Sequence, residues 1–267
     1  MPELPEVETI VQQLKKKVLG KKITSVEILD RNKIDLKIKD VIPAKIVLVY
    51  RRAKAIVIEL DRGNYLLVHL RMTGHFHYFK KGEEDKLKPF QKYVLVKFRL
   101  ADGSLLTHNS IRKFGGIRLL NKKQLQTELD KLGPEPLEIE LNQFKGLLQK
   151  RPKANIKTTL IDQKFISGVG NIYAQEALYH AGIDPKRKIS TLSGQEIKKL
   201  HSGLKSLLKK AIKHHGTTVE NYVHIEGSGG FQNHLAVYGQ ESCPKKHKLK
   251  KINLGGRGTY YCEKCQK

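Results

Sequence analysis

No run of apolar residues in this chain is long enough to span a bilayer, and its first residues lack the basic-then-apolar order of a secretory signal. Cysteine is scarce: three in 267 residues, two of them three positions apart near the C-terminal end. So few exclude a disulfide framework and fit a cytosolic metal site better. Methionine is scarcer still, with Met72 the one residue of its kind besides Met1. Acidic residues are outnumbered, 26 Asp+Glu against 51 Lys+Arg, which leaves a net charge of +25. A field of that sign gathers polyanions and speeds encounter with them. Nucleic acid is the leading partner, because neutralising phosphates releases counterions. An anionic membrane surface is the alternative, but no segment reads as a basic amphipathic helix with bulky aromatic anchors. The 39% of hydrophobic residues suffices for a core in each of about two domains.

Val7, Ile10, Val11, Leu14 and Val18 follow helical spacing, and Gly20 stands where a helix stops. From Ile23 to about Thr107 short β-rich runs take over. Lys45–Tyr50, Ala55–Leu60, Tyr65–Leu70 and Tyr93–Leu100 are examples, with turns at 61–64 and 102–103. A helix followed by a strand-rich half predicts a two-layer β domain. Gly133-Pro134-Glu135-Pro136 breaks regular structure and marks the best domain boundary. Helical patterns return at Leu141–Gln149, Lys157–Asp162, Asn171–Ala181 and Gly194–His215. Glycines then cluster at 227, 229 and 230, which predicts a mobile loop, and a last β-like segment runs from Gly255 to Cys262.

The start, Met1-Pro2-Glu3-Leu4-Pro5-Glu6, carries chemistry. Pro2 is a small enough neighbour for Met1 to be removed, which frees a secondary amine beside two carboxylates. A free α-amine titrates near pH ~7.7–8.0, far below lysine, so it serves as a neutral nucleophile near neutral pH. Glu3 and Glu6 can move the protons such chemistry needs. Taken alone, the same residues also read as a helix start, with Pro5 in the first turn and acids at the positive end of the dipole.

Further motifs decide between these readings. They are Arg51-Arg52-Ala53-Lys54, His69-Leu70-Arg71-Met72-Thr73-Gly74, Arg112-Lys113-Phe114-Gly115, the stretch from Asp162 to Pro185 and Gly256-Arg257-Gly258-Thr259-Tyr260-Tyr261-Cys262. With the start, all stand in the order found in the bacterial formamidopyrimidine-DNA glycosylase (8-oxoguanine DNA glycosylase and AP lyase) family, which the chain resembles over its whole length. The resemblance implies an α+β multidomain fold. Residues 1–131 would form an N-terminal catalytic β-sandwich with a flanking helix. Residues 132–235 would form a helix–two-turn–helix DNA-binding domain with a lesion-recognition loop, and 236–267 a zinc-finger-like β-hairpin, with DNA lying between the domains.

It also implies roles. Pro2 would attack C1′ of the damaged nucleotide and form a Schiff base, with β- and δ-elimination following. Glu3 would be the general acid–base, Glu6 a second acid or a ligand of backbone amides, and Lys54 a partner of the damaged site. Chemistry at C1′ takes the nucleotide out of the stack. Met72 and Phe114 match the wedge that fills the gap, and Arg112 the side chain that faces the orphaned cytosine. His69, Lys157 and Asn171, the last also read as a helix cap, match DNA contacts. Tyr222 belongs to the loop over the extruded base, and Arg257 would clamp phosphates flanking the lesion.

Two departures stand out. The family has an acid two residues before the wedge arginine, where this chain has Ser110. Its two Cys-x2-Cys pairs are separated by sixteen residues, which from Cys262 places the first pair at Ser242 and Lys245. The ligands available are Cys243, His247, Cys262 and Cys265, a Cys3His set suited to one structural zinc. The whole reading is a cytoplasmic, nucleoid-associated bacterial repair enzyme. It acts as a monomer on double-stranded DNA holding an oxidised purine or an AP site, and makes no membrane contact. The alternatives are an endonuclease VIII-type glycosylase for oxidised pyrimidines and a DNA-binding protein that has lost catalysis. Leu4 and the Met72/Arg112/Phe114 set argue against the first, and intact Pro2, Glu3 and Lys54 against the second.

Overall fold

The structure, a computed structural model, describes residues 1–218 and 225–267. The chain divides into two compact units, 1–130 with 215–230, and 131–214 with 231–267.

The first unit opens with helix α1 (Leu4–Val18). Glu3 and Glu6 close a capping box at its start, and Lys15, Lys16 and Lys17 stand at its negative end. Val7, Ile10, Leu14 and Val18 are fully buried. Eight antiparallel strands follow: β1 (Lys22–Ile28), β2 (Ala44–Arg52), β3 (Ala55–Leu60), β4 (Asn64–His69), β5 (Gly74–Phe79), β6 (Val94–Leu100), β7 (Leu105–Ser110) and β8 (Gly116–Asn121). Their order is β5-β7-β6-β1-β2-β3-β4-β8. The β1–β2 pairing is brief, Lys22 with Lys45 and Ile23 with Ala44, so it works as a corner between two four-stranded halves. Apolar residues of α1 and of both halves, among them Ile10, Val49, Ile56, Phe76 and Phe98, share one core. Each such side chain contributes about 1.5–3 kcal/mol by leaving water. Helix α2 (Lys122–Leu129) places Leu125 against Val57, Tyr65 and Leu67. This is the expected β-sandwich with a flanking helix.

The second unit contains α3 (Leu141–Gln149), α4 (Ile156–Leu160), α5 (Asn171–Ala181) and α6 (Gly194–Lys213). In α6 a stripe of Leu200, Leu204, Leu207, Leu208 and Ala211 is buried, and Ser193 with Glu196 caps its start. Helix α5 is buried on nearly every side. The unit ends in a hairpin of β9 (Lys250–Leu254) and β10 (Arg257–Tyr261). Gly255 and Gly256, at φ 63 and 72, form its two-residue turn, a conformation that favours glycine at both positions. The β-like segment expected from Gly255 to Cys262 is therefore the second strand of the β-hairpin that the resemblance implied for this end of the chain. Its partner is masked in the sequence by the lysines of 245–251, which point outward and follow no alternation.

Candidate functional site

Pro2 and Glu3 are buried, while Met1 is 49% exposed. With Met1 attached, the Pro2 nitrogen is an amide without nucleophilic character; removing this exposed residue turns it into an amine. Glu6 fixes the segment. Its Oε2 accepts the Glu3 N–H at 2.8 Å, and its Oε1 accepts the Thr217 N–H at 2.7 Å. Of the two roles open to Glu6, the amide-binding one is thus built. Gly216, at φ 78, lies so close that an added Cβ would meet Glu6 Oε1 at 2.7 Å. Gly229 packs as tightly on the Gly216 carbonyl, so this glycine serves close approach of backbone to backbone.

Lys54 occupies the two-residue turn between β2 and β3, where Ala53 adopts φ 54. Arg51 holds this turn to α1: its Nε meets Glu8 Oε2 at 2.9 Å, and its Nη1 donates to the Ala53 carbonyl at 3.0 Å. Both partners are largely buried, so the pair resists solvent screening better than a surface bridge.

Met72, Arg112 and Phe114 come together from two connections, β4–β5 and β7–β8. Arg112 Nη1 lies 3.2 Å from Met72 Sδ, and its guanidinium sits 5.0 Å from the Phe114 ring. Met72 and Phe114 are 38% and 53% exposed, far more than core residues of their kind. Beneath them the Arg112 N–H donates to Thr73 Oγ1 at 2.9 Å, and Ser110 Oγ lies 3.4 Å from the same hydroxyl. Ser110 thus joins a neutral hydroxyl pair where the family has an acid. His69 ends β4; burial, with Arg71 and Arg118 nearby, lowers its pKa to about 4. It is therefore neutral at pH 7.

In the second unit Lys157 is fully buried, and its ammonium donates to the Leu254 carbonyl at 3.2 Å, bracing the hairpin turn. Asn171 is the first residue of α5; the cap is Gly170, which corrects the expected capping role of Asn171. Its Nδ2 instead donates to the Gly258 carbonyl at 3.1 Å. Arg257 follows the hairpin turn directly and is exposed. Tyr222 lies outside the described residues. Sequence reasoning missed Glu176. This fully buried carboxylate accepts the N–H groups of Ala236, Val237 and Tyr238 at 2.7–2.9 Å. The sequence held no signal for it, since a glutamate inside a helical stretch is ordinary until residues 236–238 fold against it.

Cys243, His247, Cys262 and Cys265 also converge, with all four ligand atoms within 4.8 Å of one another. The Cys243 and Cys265 sulfurs are 4.0 Å apart, and His247 Nδ1 lies 3.3 Å from Cys265 Sγ and 3.7 Å from Cys262 Sγ. Tetrahedral zinc requires sulfurs about 3.8 Å apart and sulfur–nitrogen pairs about 3.6 Å apart, so the set fits. Burial opposes ionisation of Cys243, yet the His247 and Lys245 backbone N–H groups bring its thiol down to about 7. A thiol so disposed reaches the metal-binding thiolate form readily.

A sandwich whose first helix presents Pro2 and Glu3, followed by a helical unit ending in a four-ligand metal hairpin, defines a class of DNA-repair glycosylases. Family comparison agrees in each part. Residues 1–117 match the formamidopyrimidine-DNA glycosylase N-terminal domain, 132–223 its H2TH domain, and 246–267 the zinc finger found in FPG and IleRS. The last match begins after Cys243, where the ligand spacing departs from the family. The chain is 40% identical over 281 residues to the formamidopyrimidine-DNA glycosylase of Bacillus subtilis, covering 100% of this chain and 99% of the relative. That of Pelotomaculum thermopropionicum is 40% identical over 279 residues, with the same coverage. Lactococcus lactis Fpg bound to DNA containing an abasic site superposes with a TM-score of 0.90 at 32% identity, over 99% of each chain. A mutant of that protein with Fapy-dG containing DNA gives 0.90 at 33%, over 100% of each. The chain belongs to the formamidopyrimidine-DNA glycosylase family.

Proposed function

We propose that this protein is a bifunctional DNA glycosylase and AP lyase of base excision repair, acting on duplex DNA that carries 8-oxoguanine opposite cytosine, a formamidopyrimidine or an AP site. The observation that carries the reading is the start of α1, where Pro2 and Glu3 are held in place by Glu6 through the Glu3 amide. Once Met1 is gone, the Pro2 amine attacks C1′, the C1′–N bond breaks, and the base leaves with a proton from an acid. The Pro2 nitrogen gives up its proton, and the C1′–O4′ bond breaks with O4′ taking a proton from Glu3. The ring opens and a C1′ iminium remains, while Glu3 goes on to move protons at the opened sugar. The resulting iminium accepts electrons, so the 3′ and then the 5′ phosphate depart by β- and δ-elimination. Lys54 contacts the damaged nucleotide. Extruding that nucleotide costs a few kcal/mol of unstacking, and Met72, Arg112 and Phe114 offset it by occupying the gap.

His69, Lys157, Asn171 and Arg257 bind the backbone, and Tyr222 belongs to the loop over the extruded base. Functionally the chain falls into segments 1–131, 132–235 and 236–267. One zinc on Cys243, His247, Cys262 and Cys265 orders the hairpin that presents Arg257; it supplies folding energy and takes no part in the bond-breaking steps. Among the described residues no helix is long and apolar enough to cross a membrane, and we place the protein on the bacterial nucleoid.

The test is borohydride trapping on a duplex with one 8-oxoguanine opposite cytosine, with N-terminal sequencing of the adduct. A covalent adduct at Pro2 is expected. No adduct from a protein with a verified Pro2 terminus and tight DNA binding overturns the reading, and a dihydrouracil duplex then separates a pyrimidine-specific glycosylase from a binding protein.

A further inference from the structure

Strand β10 uses one edge to pair with β9, Gly258 opposite Asn253 and Tyr260 opposite Lys251. Its other edge offers the Gly258 carbonyl and the Tyr260 N–H, and a backbone group left unpaired there costs stability. Both are taken by one side chain. Gln175 Oε1 accepts the Tyr260 N–H at 2.6 Å, and Gln175 Nε2 donates to the Gly258 carbonyl at 3.2 Å. The second hydrogen of the same nitrogen goes to the Asn171 carbonyl, one turn back along α5, at 2.8 Å. A carboxamide thereby stands in for one peptide unit of a missing neighbouring strand, with all three contacts made by a side chain only 1% exposed. Asn171 Nδ2 donates to the same Gly258 carbonyl.

Arg257 and Asn171 are two of this unit's three phosphate-binding candidates, the third being Lys157, and each of the two is a single step from this carboxamide. Arg257 precedes Gly258 in the strand, and Asn171 shares its carbonyl and bonds Gln175 through its own. We propose that Gln175 is a positioning residue for DNA binding, fixing the strand that carries Arg257 to the first turn of α5 so that Arg257 and Asn171 grip the backbone as one rigid pair. Glutamine is the residue this geometry calls for. Glutamate keeps an acceptor for Tyr260 but loses both donors, methionine keeps the length without any hydrogen bond, and asparagine is one methylene short.

The inference rests on the phosphate-binding roles given above to Arg257 and Asn171, and the experiment keeps the two apart. DNA affinity is measured against salt for the zinc-loaded parent, Gln175→Met, Arg257→Ala and the double variant, with zinc content confirmed for each. Gln175→Met should weaken binding about tenfold in the parent and lower the salt slope by about one, as loss of a phosphate contact does. In the Arg257→Ala background it should cost almost nothing, because two residues acting through one contact are not additive. Hydrogen exchange at the Tyr260 amide should accelerate in Gln175→Met. Additive losses, or an unchanged slope with an unchanged Tyr260 amide, overturn the proposal. If Gln175→Met loses zinc, Gln175→Glu takes its place in the same cycle. If Arg257→Ala alone leaves affinity and slope untouched, the phosphate role of Arg257 fails, and with it this proposal, while an accelerated Tyr260 amide would still record the clasp.

Discussion

Helix α1 alone lays Val7, Ile10, Leu14 and Val18 into the sandwich core at 0% exposure, whereas the two strands of the C-terminal hairpin together bury only Thr259 and Tyr261. The sandwich can rely on area removed from water; the hairpin is too small to. What the hairpin has instead is polar and local: three thiols and an imidazole within reach of one ion, the Lys157 ammonium on its turn, and the Gln175 amide on its free edge. The difference teaches where each kind of damage should act. Loss of apolar volume should injure the unit that carries Pro2 and Glu3, and loss of metal or of a single hydrogen bond should injure the unit that carries Arg257.

The sharpest break in that comparison is Cys262→Ser. A structural zinc site in a small hairpin supplies on the order of 10 kcal/mol, so the expected result is loss of zinc and of hydrogen-exchange protection over Lys250–Tyr261. DNA binding should fall on the order of a hundredfold, while exchange in β2–β4 stays as it was. Phe76→Ala is the converse. Removing a fully buried ring from the sandwich should cost about 3–5 kcal/mol in denaturant unfolding of the first unit, with the zinc content untouched.

Acid should separate the units more gently. Burial lowers the pKa of His69 and His77 to about 4 and of His108 to about 3. These groups take protons in the unfolded chain near pH 6.5 but refuse them in the fold, so stability is full above 6.5 and is lost as pH falls toward 4. The fully buried His108 should contribute about 1.4 kcal/mol per pH unit, and the partly exposed His69 and His77 less. Melting of the sandwich at pH 7 and pH 5 checks this, and His108→Phe should flatten the dependence. The smallest effect is expected for Glu176→Gln, which leaves one of three buried N–H bonds weakened or unmade, at about 1–3 kcal/mol. Urea unfolding of the second unit should register it and that of the first should not.

The strong periodicities and the local caps were legible along the chain. Val7 to Val18 reads as a helix because its period is set by neighbours three and four residues apart, and Ala55–Leu60 reads as a strand because it is apolar and rich in β-branched residues. Strand β9 was implied by the family resemblance alone, since its alternation spans only Lys251–Leu254 and its pairing partner is what makes it a strand. Among candidate site residues, Pro2, Glu3, Met72, Arg112 and the metal ligands could be singled out because their chemistry or rarity marks them. Gln175 and Glu176 could not, because a glutamine and a glutamate in a helix are ordinary until the segments they bind, 258–260 and 236–238, are folded against them.

The sequence by itself determined the family, the candidate nucleophile with its neighbouring acids, the excess of positive charge and the four candidate metal ligands, all of which reside in residue type and short-range order. Only the tertiary structure decided how they are used. It set Glu6 to hold backbone amides at 3 and 217, Met72 beside Arg112, Lys157 on the hairpin turn, and three thiols and His247 within bonding reach of one ion. Apart from the Glu3–Glu6 cap and the metal cluster, whose members lie within 22 residues of one another, these contacts cross 40 to more than 200 residues of chain, where the pairing partner is chosen by packing and by the demand that every buried polar group be satisfied.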